Sequence, residues 1–322
     1  MDHIALPVGN STQASVLYLK RLDLYRTQKP YEILFSIKDL NATEAQQTNC
    51  ELEPHVIQAL DAEYTRSNFS ITKNGFQFAN FPTKMKPTDF NDEKMIKEIY
   101  YREVKECLQQ IFPEKIDVRI LDHQRRRRNP VFPIPTNEGN GFLQPVPTVH
   151  TGNFLIKPPY RNTPGPGIDQ VIPDFSSKGI ALKTGSLQRL LDAEPDLQNR
   201  TYKVINVWRR IAGAPDDWPL AVCDYQSLNL RTDVEEVDRV AQNSITASNR
   251  FYHNPRHSWY FLKKQSYDDV TMFCNCDSRG PRYPFSPHAA LEIKHPDSEG
   301  ETEIETSYPP RESIEVRAFC FF

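Results

Sequence analysis

The sequence predicts a mainly β protein, a sandwich or barrel with helices packed on one sheet. Three observations carry this. Segments rich in β-branched and aromatic residues recur along the chain, most densely beyond residue 200. The 322 residues include 26 prolines and only 12 glycines, a balance that bounds many strands with loops and leaves little room for long helices. Only one stretch, near residue 95, keeps the three- and four-residue apolar spacing of a substantial helix.

From the N-terminus, residues 14–21 and 30–37 are the first strand candidates. Residues 71–82, ITKNGFQFANFP, have the pattern of a hairpin with Asn74-Gly75 as its turn. Asn91-Asp92 opens the main helix, in which Met95, Ile96, Ile99, Tyr100, Val104, Cys107, Leu108 and Ile111 hold one face until Pro113. A short strand at 116–121 follows. Loops at 129–141 and 157–185 flank one compact strand-like segment at 143–156. A short helix around 186–193 precedes a β-rich remainder at 201–211, 219–225, 257–264, 270–277, 288–293 and 312–322. No linker or charge block marks a boundary. The chain therefore reads as a single domain, 1–322, in which 1–114 is a strand and helix elaboration and 115–322 the core.

Composition excludes several classes. Basic and acidic residues nearly cancel, 39 against 42, which disfavours a dedicated nucleic-acid binder. No apolar run is long enough for a membrane helix, and the N-terminus MDHIALPVGN lacks the features of a signal peptide. Six dispersed cysteines do not make a disulfide framework. Neither GxGxxG nor a phosphate-loop motif is present, and there is no internal repeat. The expectation is a cytoplasmic protein that acts on a small molecule, without nucleic-acid or membrane partners. A homodimer is left open.

Several residues could carry chemistry. The four arginines Arg125 to Arg128 are read as a solvated loop rather than a phosphate site, because nothing aromatic interleaves them. Cys274 and Cys276, like Cys223 and Cys320, are read as core residues, since a closed zinc site needs four ligands. His150 and His288 differ from the other histidines in lying in strand-like contexts followed by small residues, which leaves room over the imidazole. Arg311, Ser313, Glu315 and Arg317 alternate along one strand, so two guanidiniums and a hydroxyl share a face suited to a carboxylate ligand. A salt-bridge row through Glu315 is the plainer alternative. Tyr252, His257, Trp259 and Tyr260 could line a cavity for an apolar ligand or simply fill the core, and Asn206 and Trp208 share a strand face.

Six blocks then stand in order: 205–209 (INVWR), 219–224 (PLAVCD), 254–260 (NPRHSWY), 277–279 (DSR), 287–291 (PHAAL) and 309–319 (PPRESIEVRAF). Together they resemble the fungal gibberellin-desaturase and AsaB-like hydroxylase/desaturase family, related to the CmcJ/NvfI group. The resemblance covers 115–322 well and the N-terminal third loosely. It implies a double-stranded β-helix, the cupin-like jelly-roll. It also implies a non-heme Fe(II), 2-oxoglutarate-dependent oxygenase of secondary metabolism that hydroxylates, desaturates, cyclises or halogenates a small hydrophobic intermediate. By position, His150 and His288 match the two iron-ligating histidines. Arg311 and Ser313 match the anchor for a co-substrate or substrate carboxylate, with Arg317 as the competing candidate. Asn206, Trp208, Tyr252, His257, Trp259 and Tyr260 become substrate-contact candidates.

The sequence departs from the family where the iron-ligating carboxylate should stand: the family's HxD is His150-Thr151-Gly152 here. Three consequences are open. Iron binds through two histidines and 2-oxoglutarate, with water or halide in the vacated position; or Asp169 or Asp174 reaches in; or the metal is lost and the pocket runs redox-neutral chemistry. In the last case a cyclase, isomerase or dehydratase would use His150 or His288 as acid or base and Arg311 or Arg317 to stabilise negative charge. A binding protein without catalysis ranks last.

Overall fold

Residues 11–36, 46–129, 142–152, 186–241, 244–293 and 309–322 are described by a computed structural model. In chain order its strands are β1 (Ser11–Leu19), β2 (Tyr31–Ile33), β3 (Leu52–Asp61), β4 (Phe76–Asn80), β5 (Asp117–Arg127), β6 (Phe142–Leu143), β7 (His150–Thr151) and β8 (Tyr202–Ala212). They continue as β9 (Leu220–Cys223), β10 (Val234–Ala241), β11 (Ser244–Phe251), β12 (Trp259–Phe261), β13 (Asp269–Asp277), β14 (His288–Ala290), β15 (Glu292–Ile293) and β16 (Glu312–Phe321). The helices are α1 (Ile71–Asn74), α2 (Glu93–Met95), α3 (Tyr101–Ile111) and α4 (Ser186–Ala193).

These strands form two sheets, in the orders β15-β1-β3-β12-β9-β14-β7-β11-β10-β2 and β4-β13-β8-β16-β5-β6. Strands from the first hundred residues enter both sheets. Between the sheets, Phe76, Phe78, Trp208 and Phe273 of the smaller meet Leu220 and Val222 of the larger. The alternate residues of β8, β13 and β16, among them Val207, Met272, Ile314 and Val316, face outward and are covered by Val104, Cys107 and Leu108 of α3. This is the sandwich with helices on one sheet that the strand pattern predicts.

The main helix begins where the sequence places it. The Asp92 carboxylate accepts hydrogen bonds from the backbone N–H groups of Lys94 and Met95. A π-helical segment, Ile96–Tyr100, links α2 to α3, and Phe112 turns extended ahead of Pro113. Cys223, Cys274 and Cys320 are buried in the strands, and burial pushes the Cys223 and Cys274 thiols up to about 12.

Several local expectations need correction. Asn74-Gly75 does not turn a hairpin; it ends α1, with Gly75 in the left-handed region at φ 84°. A helix C-terminus and a tight hairpin both require positive φ, so the dipeptide signals either. The arginine run is no solvated loop. Arg125 to Arg127 continue β5, with the Arg125 and Arg127 guanidiniums each 4.7 Å from the Phe142 ring centroid. Arg128 pairs with Asp217 at 3.0 Å. The segment 143–156 contributes only the last residue of β6 and the two-residue β7 among its described residues. The hairpin of β10 and β11 was hidden by its polarity: Asp238, Ser248 and Arg250 are buried there, held by ion pairs and hydrogen bonds. Among the described residues, no helix is long and apolar enough to cross a membrane.

Candidate active site: two histidines and an anion cradle between the sheets

Strand register assembles the site. His288 pairs with His150 on one side and with Val222 on the other, and Val222 in turn pairs with Tyr260. Beyond His150, Arg250 is its partner on β11. Directly opposed residues share a face, so Tyr260, Val222, His288, His150 and Arg250 form one row across the larger sheet. Facing it, the smaller sheet presents Trp208 paired with Glu315, and Arg126 paired with Ser313. A small cavity between them is bounded by His150, His288, Trp208, Arg126, Arg311 and Glu315.

Both imidazoles are fixed in the same way. The Nδ1 of His150 lies 2.7 Å from the Thr148 carbonyl, and that of His288 lies 3.1 Å from the Ser286 carbonyl. A carbonyl only accepts, so each Nδ1 carries the proton and each Nε2 keeps its lone pair. Burial holds both rings neutral, pushing His150 well below the ordinary imidazole range and His288 down to about 4. Two neutral imidazoles oriented by backbone carbonyls are what a divalent transition metal asks of histidine. Among the described residues, no further histidine, cysteine, aspartate or glutamate completes a three-ligand group. Asp169 and Asp174 lie outside the described residues.

The opposite wall suits an anion. The Arg311 guanidinium donates to Ser313 Oγ at 2.7 Å and to the Asp217 carbonyl at 2.9 Å, and stacks 5.1 Å from the Trp208 ring centroid. Burial, reinforced by Arg126 and Arg210, brings Arg311 down to about 10. Arg126 is likewise lowered by burial, although it donates to the Gln144 carbonyl and to Gln124, each at 2.8 Å. Two guanidiniums around a water-poor cavity favour an anionic guest. Glu315 is the one carboxyl on the cavity wall among the described residues; burial raises it, against the pull of Arg126 and Arg317.

Gly152 is covered rather than open. A Cβ built on it would lie 2.9 Å from both Cγ and Oδ1 of Asn275 and 3.2 Å from its Nδ2. The Gly152 N–H donates to Asn275 Oδ1 at 2.9 Å, and Asn275 Nδ2 donates to Asn206 Oδ1. Asn275 shares the inward face of Phe273, at the point where the register between β13 and β8 shifts between Cys274 and Cys276.

Of the residues singled out from sequence, the cavity gathers His150, His288, Arg311 and Trp208, with Ser313 and Asn206 one hydrogen bond behind. It does not gather the others. Arg317 is engaged by Asp122 in a two-point ion pair, with Nε at 2.6 Å from Oδ1. His257 bridges Asp233 and the Tyr18 hydroxyl, to which the Trp259 indole N–H also donates at 3.0 Å. Trp259 belongs to the opposite face of the larger sheet. The Tyr252 hydroxyl donates to Glu235, while Tyr260 shares the histidine row but opens onto a separate pocket with Phe69 and Asp224. Sequence reasoning missed Arg126, Arg250 and Asn275. Arg126 was legible in principle, since alternation along β5 turns it to the face opposite Arg125 and Arg127.

Comparison with known proteins agrees with this architecture. The chain matches the model of the oxidoreductase/YMDC permease-like domain over residues 16–153 and 174–321. It is 25% identical over 287 residues to the Fe(II)/2-oxoglutarate-dependent dioxygenase nvfI of Aspergillus novofumigatus, covering 85% of this chain and 86% of that protein. It is 26% identical to the hydroxylase/desaturase efuI of Hormonema carpetanum, over 81% of this chain and 82% of that one. A solved structure of the iron and alpha-ketoglutarate-dependent endoperoxidase NvfI superposes with a TM-score of 0.70 at 22% identity, covering 97% and 98% of the two chains. At that identity the likeness establishes the jelly-roll fold.

Proposed function

The chain belongs to the oxidoreductase/YMDC permease-like domain family, and from that premise we propose that it is an iron- and 2-oxoglutarate-dependent oxidoreductase of secondary-metabolite biosynthesis. One observation carries the reading: two neutral imidazoles with their Nε2 lone pairs left for a metal share a cavity with a buried Arg311. The relatives support it, being described as Fe(II)/2-oxoglutarate-dependent dioxygenases and as a hydroxylase/desaturase.

In this reading His150 and His288 hold iron, which together with 2-oxoglutarate and dioxygen supplies the oxidising power to remove hydrogen from an unactivated carbon. Arg311 would grip a carboxylate of the co-substrate or substrate, with Ser313 fixing the guanidinium. Arg126 adds positive charge on the same wall. Thr148 and Ser286 orient the imidazoles through their carbonyls. Trp208 gives the substrate side of the cavity an apolar face, which fits a small hydrophobic intermediate.

A redox-neutral cyclase, isomerase or dehydratase is the second reading. Glu315 favours it, because burial raises this carboxyl on the cavity wall, the direction that acid catalysis needs. Anaerobic titration with Fe(II) and 2-oxoglutarate decides between the two. The first reading requires a visible charge-transfer band that disappears in the His150→Ala/His288→Ala double variant. A protein that retains no iron and gives no band sinks it in favour of the second.

A further inference from the structure

Nothing given by the family pattern says what stands where the carboxylate is missing. We infer that Asn275 is the third protein residue of the His150–His288 centre: its carboxamide, delivered from the bulge in β13, fills the volume of the lost 152 side chain. The inference rests on the proposed function, since it assigns that same site.

The argument begins with space. His150 and residue 152 are two apart on a strand and share a face, so a side chain at 152 would enter the site beside His150. That volume already holds the Asn275 carboxamide, 2.9 Å from the position of a Cβ on Gly152. Real Cβ atoms essentially never show contacts below 3.0 Å, so an acidic side chain at 152 would require the Asn275 carboxamide to move aside. Glycine at 152 and asparagine at 275 are therefore one arrangement: the first makes room for the second.

Orientation comes next. Asn275 Oδ1 accepts from the Gly152 N–H, and Asn275 Nδ2 donates to Asn206 Oδ1. Asn206 keeps its own amide N–H groups for Glu315, a carboxyl that burial raises. The Gly152 backbone donor fixes the direction of the Asn275 amide and, through it, that of Asn206, which would otherwise be interchangeable. A carbonyl oxygen has two lone pairs, so Asn275 Oδ1 keeps one after accepting from Gly152. The amide is neutral and brings no negative charge to balance a cation.

Two consequences follow. The place of the missing side chain is taken by the Asn275 carboxamide, which counts against a halide entering there and so against halogenation. The place to restore a carboxylate is 275, not 152. An aspartate at 275 has the same shape and keeps the Gly152 hydrogen bond. Asn206 would then have to turn its amide, exchanging its hydrogen bond to Glu315 for one to the new carboxylate.

The test is Co(II) binding, followed by calorimetry and visible absorption, in the wild type, Asn275→Asp, Gly152→Asp and Gly152→Asp/Asn275→Ala proteins, with near-ultraviolet circular dichroism to confirm folding. Asn275→Asp is expected to tighten Co(II) by about tenfold or more, and that gain must vanish when His150 and His288 are also replaced by alanine. Gly152→Asp alone is expected to lower the melting temperature without tightening Co(II), and adding Asn275→Ala is expected to restore both. If Gly152→Asp binds Co(II) tightly without Asn275→Ala, or if folded Asn275→Asp and the double variant both bind like wild type, the assignment is wrong. Should Asn275→Asp misfold, the double variant alone decides. Wild-type protein that binds no Co(II) beside an Asn275→Asp variant that does would leave the assignment standing and remove iron dependence from the proposed function.

Discussion

His150 and His288 are a direct cross-strand pair, with ring centroids 4.4 Å apart and ring planes tilted by 51°. Backbone hydrogen bonding between β7 and β14 sets that separation, and Phe273 closes over the His288 ring at 4.3 Å. The pair is thus positioned by the sheet itself. Preorganised donors act as a unit, so removing either should cost nearly as much as removing both. His150→Ala and His288→Ala are each expected to weaken Co(II) by about a hundredfold, with the double variant little worse. Calorimetry checks this, and additive losses would mean that the two rings do not serve one ion.

Arg311 and Arg317 lie on the same strand face, yet the structure gives them different work. Arg311 lines the cavity and leans on Ser313, whereas Arg317 is occupied by Asp122. Arg311→Ala should weaken 2-oxoglutarate by about tenfold to a hundredfold, the usual scale for losing a buried charge-assisted contact. Arg317→Ala should leave that affinity within about twofold, because the ion pair it breaks is partly exposed and of modest worth. Equilibrium titration in the presence of Co(II) separates the two, and equal losses would return Arg317 to the site.

Much of this was legible from residues alone. Alternation placed Arg311 and Ser313 together, and the small residues after His150 and His288 marked the two strands that become neighbours. What failed was assignment by composition. Tyr252, His257 and Trp259 look like a ligand pocket because they are aromatic and polar at once, but a one-residue change of parity puts Trp259 on the far face of its sheet from Tyr260. Tyr18, more than two hundred residues away in sequence, absorbs both the Trp259 N–H and His257. Asn275 was invisible for another reason. Alternation with Phe273 turns it inward, but only the tertiary fold brings it against Gly152, 123 residues away.

Acid sensitivity should come from a structural carboxylate. Burial alone would raise Asp269, but hydrogen bonds from Arg66, Ser266 and Asn80 outweigh it and hold the carboxyl down at about 2. Its folded pKa is below the unfolded value, so the stabilisation is present above about pH 4 and is lost as the pH falls through about 2. Asp269→Asn should therefore destabilise the protein at neutral pH, and its deficit against wild type should shrink across that acid window. Urea denaturation at stepped pH measures this, and a deficit that stays constant down to pH 2 would contradict it.

Two glycines should separate the halves of the site. Gly213 has φ 72°, and a Cβ there would lie 2.2 Å from the Pro310 carbonyl oxygen and 2.8 Å from the Arg311 Cα. Gly75 has φ 84°, and a Cβ there would lie 2.3 Å from the Phe285 carbonyl oxygen, one residue before the Ser286 carbonyl that orients His288. Alanine in a left-handed position costs about 1–3 kcal/mol before any clash is counted, so both variants should melt at lower temperature. Their functional effects should diverge. Gly213→Ala pushes on the start of β16 and should weaken 2-oxoglutarate more than Co(II). Gly75→Ala pushes on the segment that fixes the His288 tautomer and should weaken Co(II) more than 2-oxoglutarate. Measuring both affinities in both variants tests the division directly. If each glycine variant loses the two ligands in the same proportion, the metal side and the anion side are not positioned independently, and the cavity behaves as one rigid unit whose parts cannot be tuned apart.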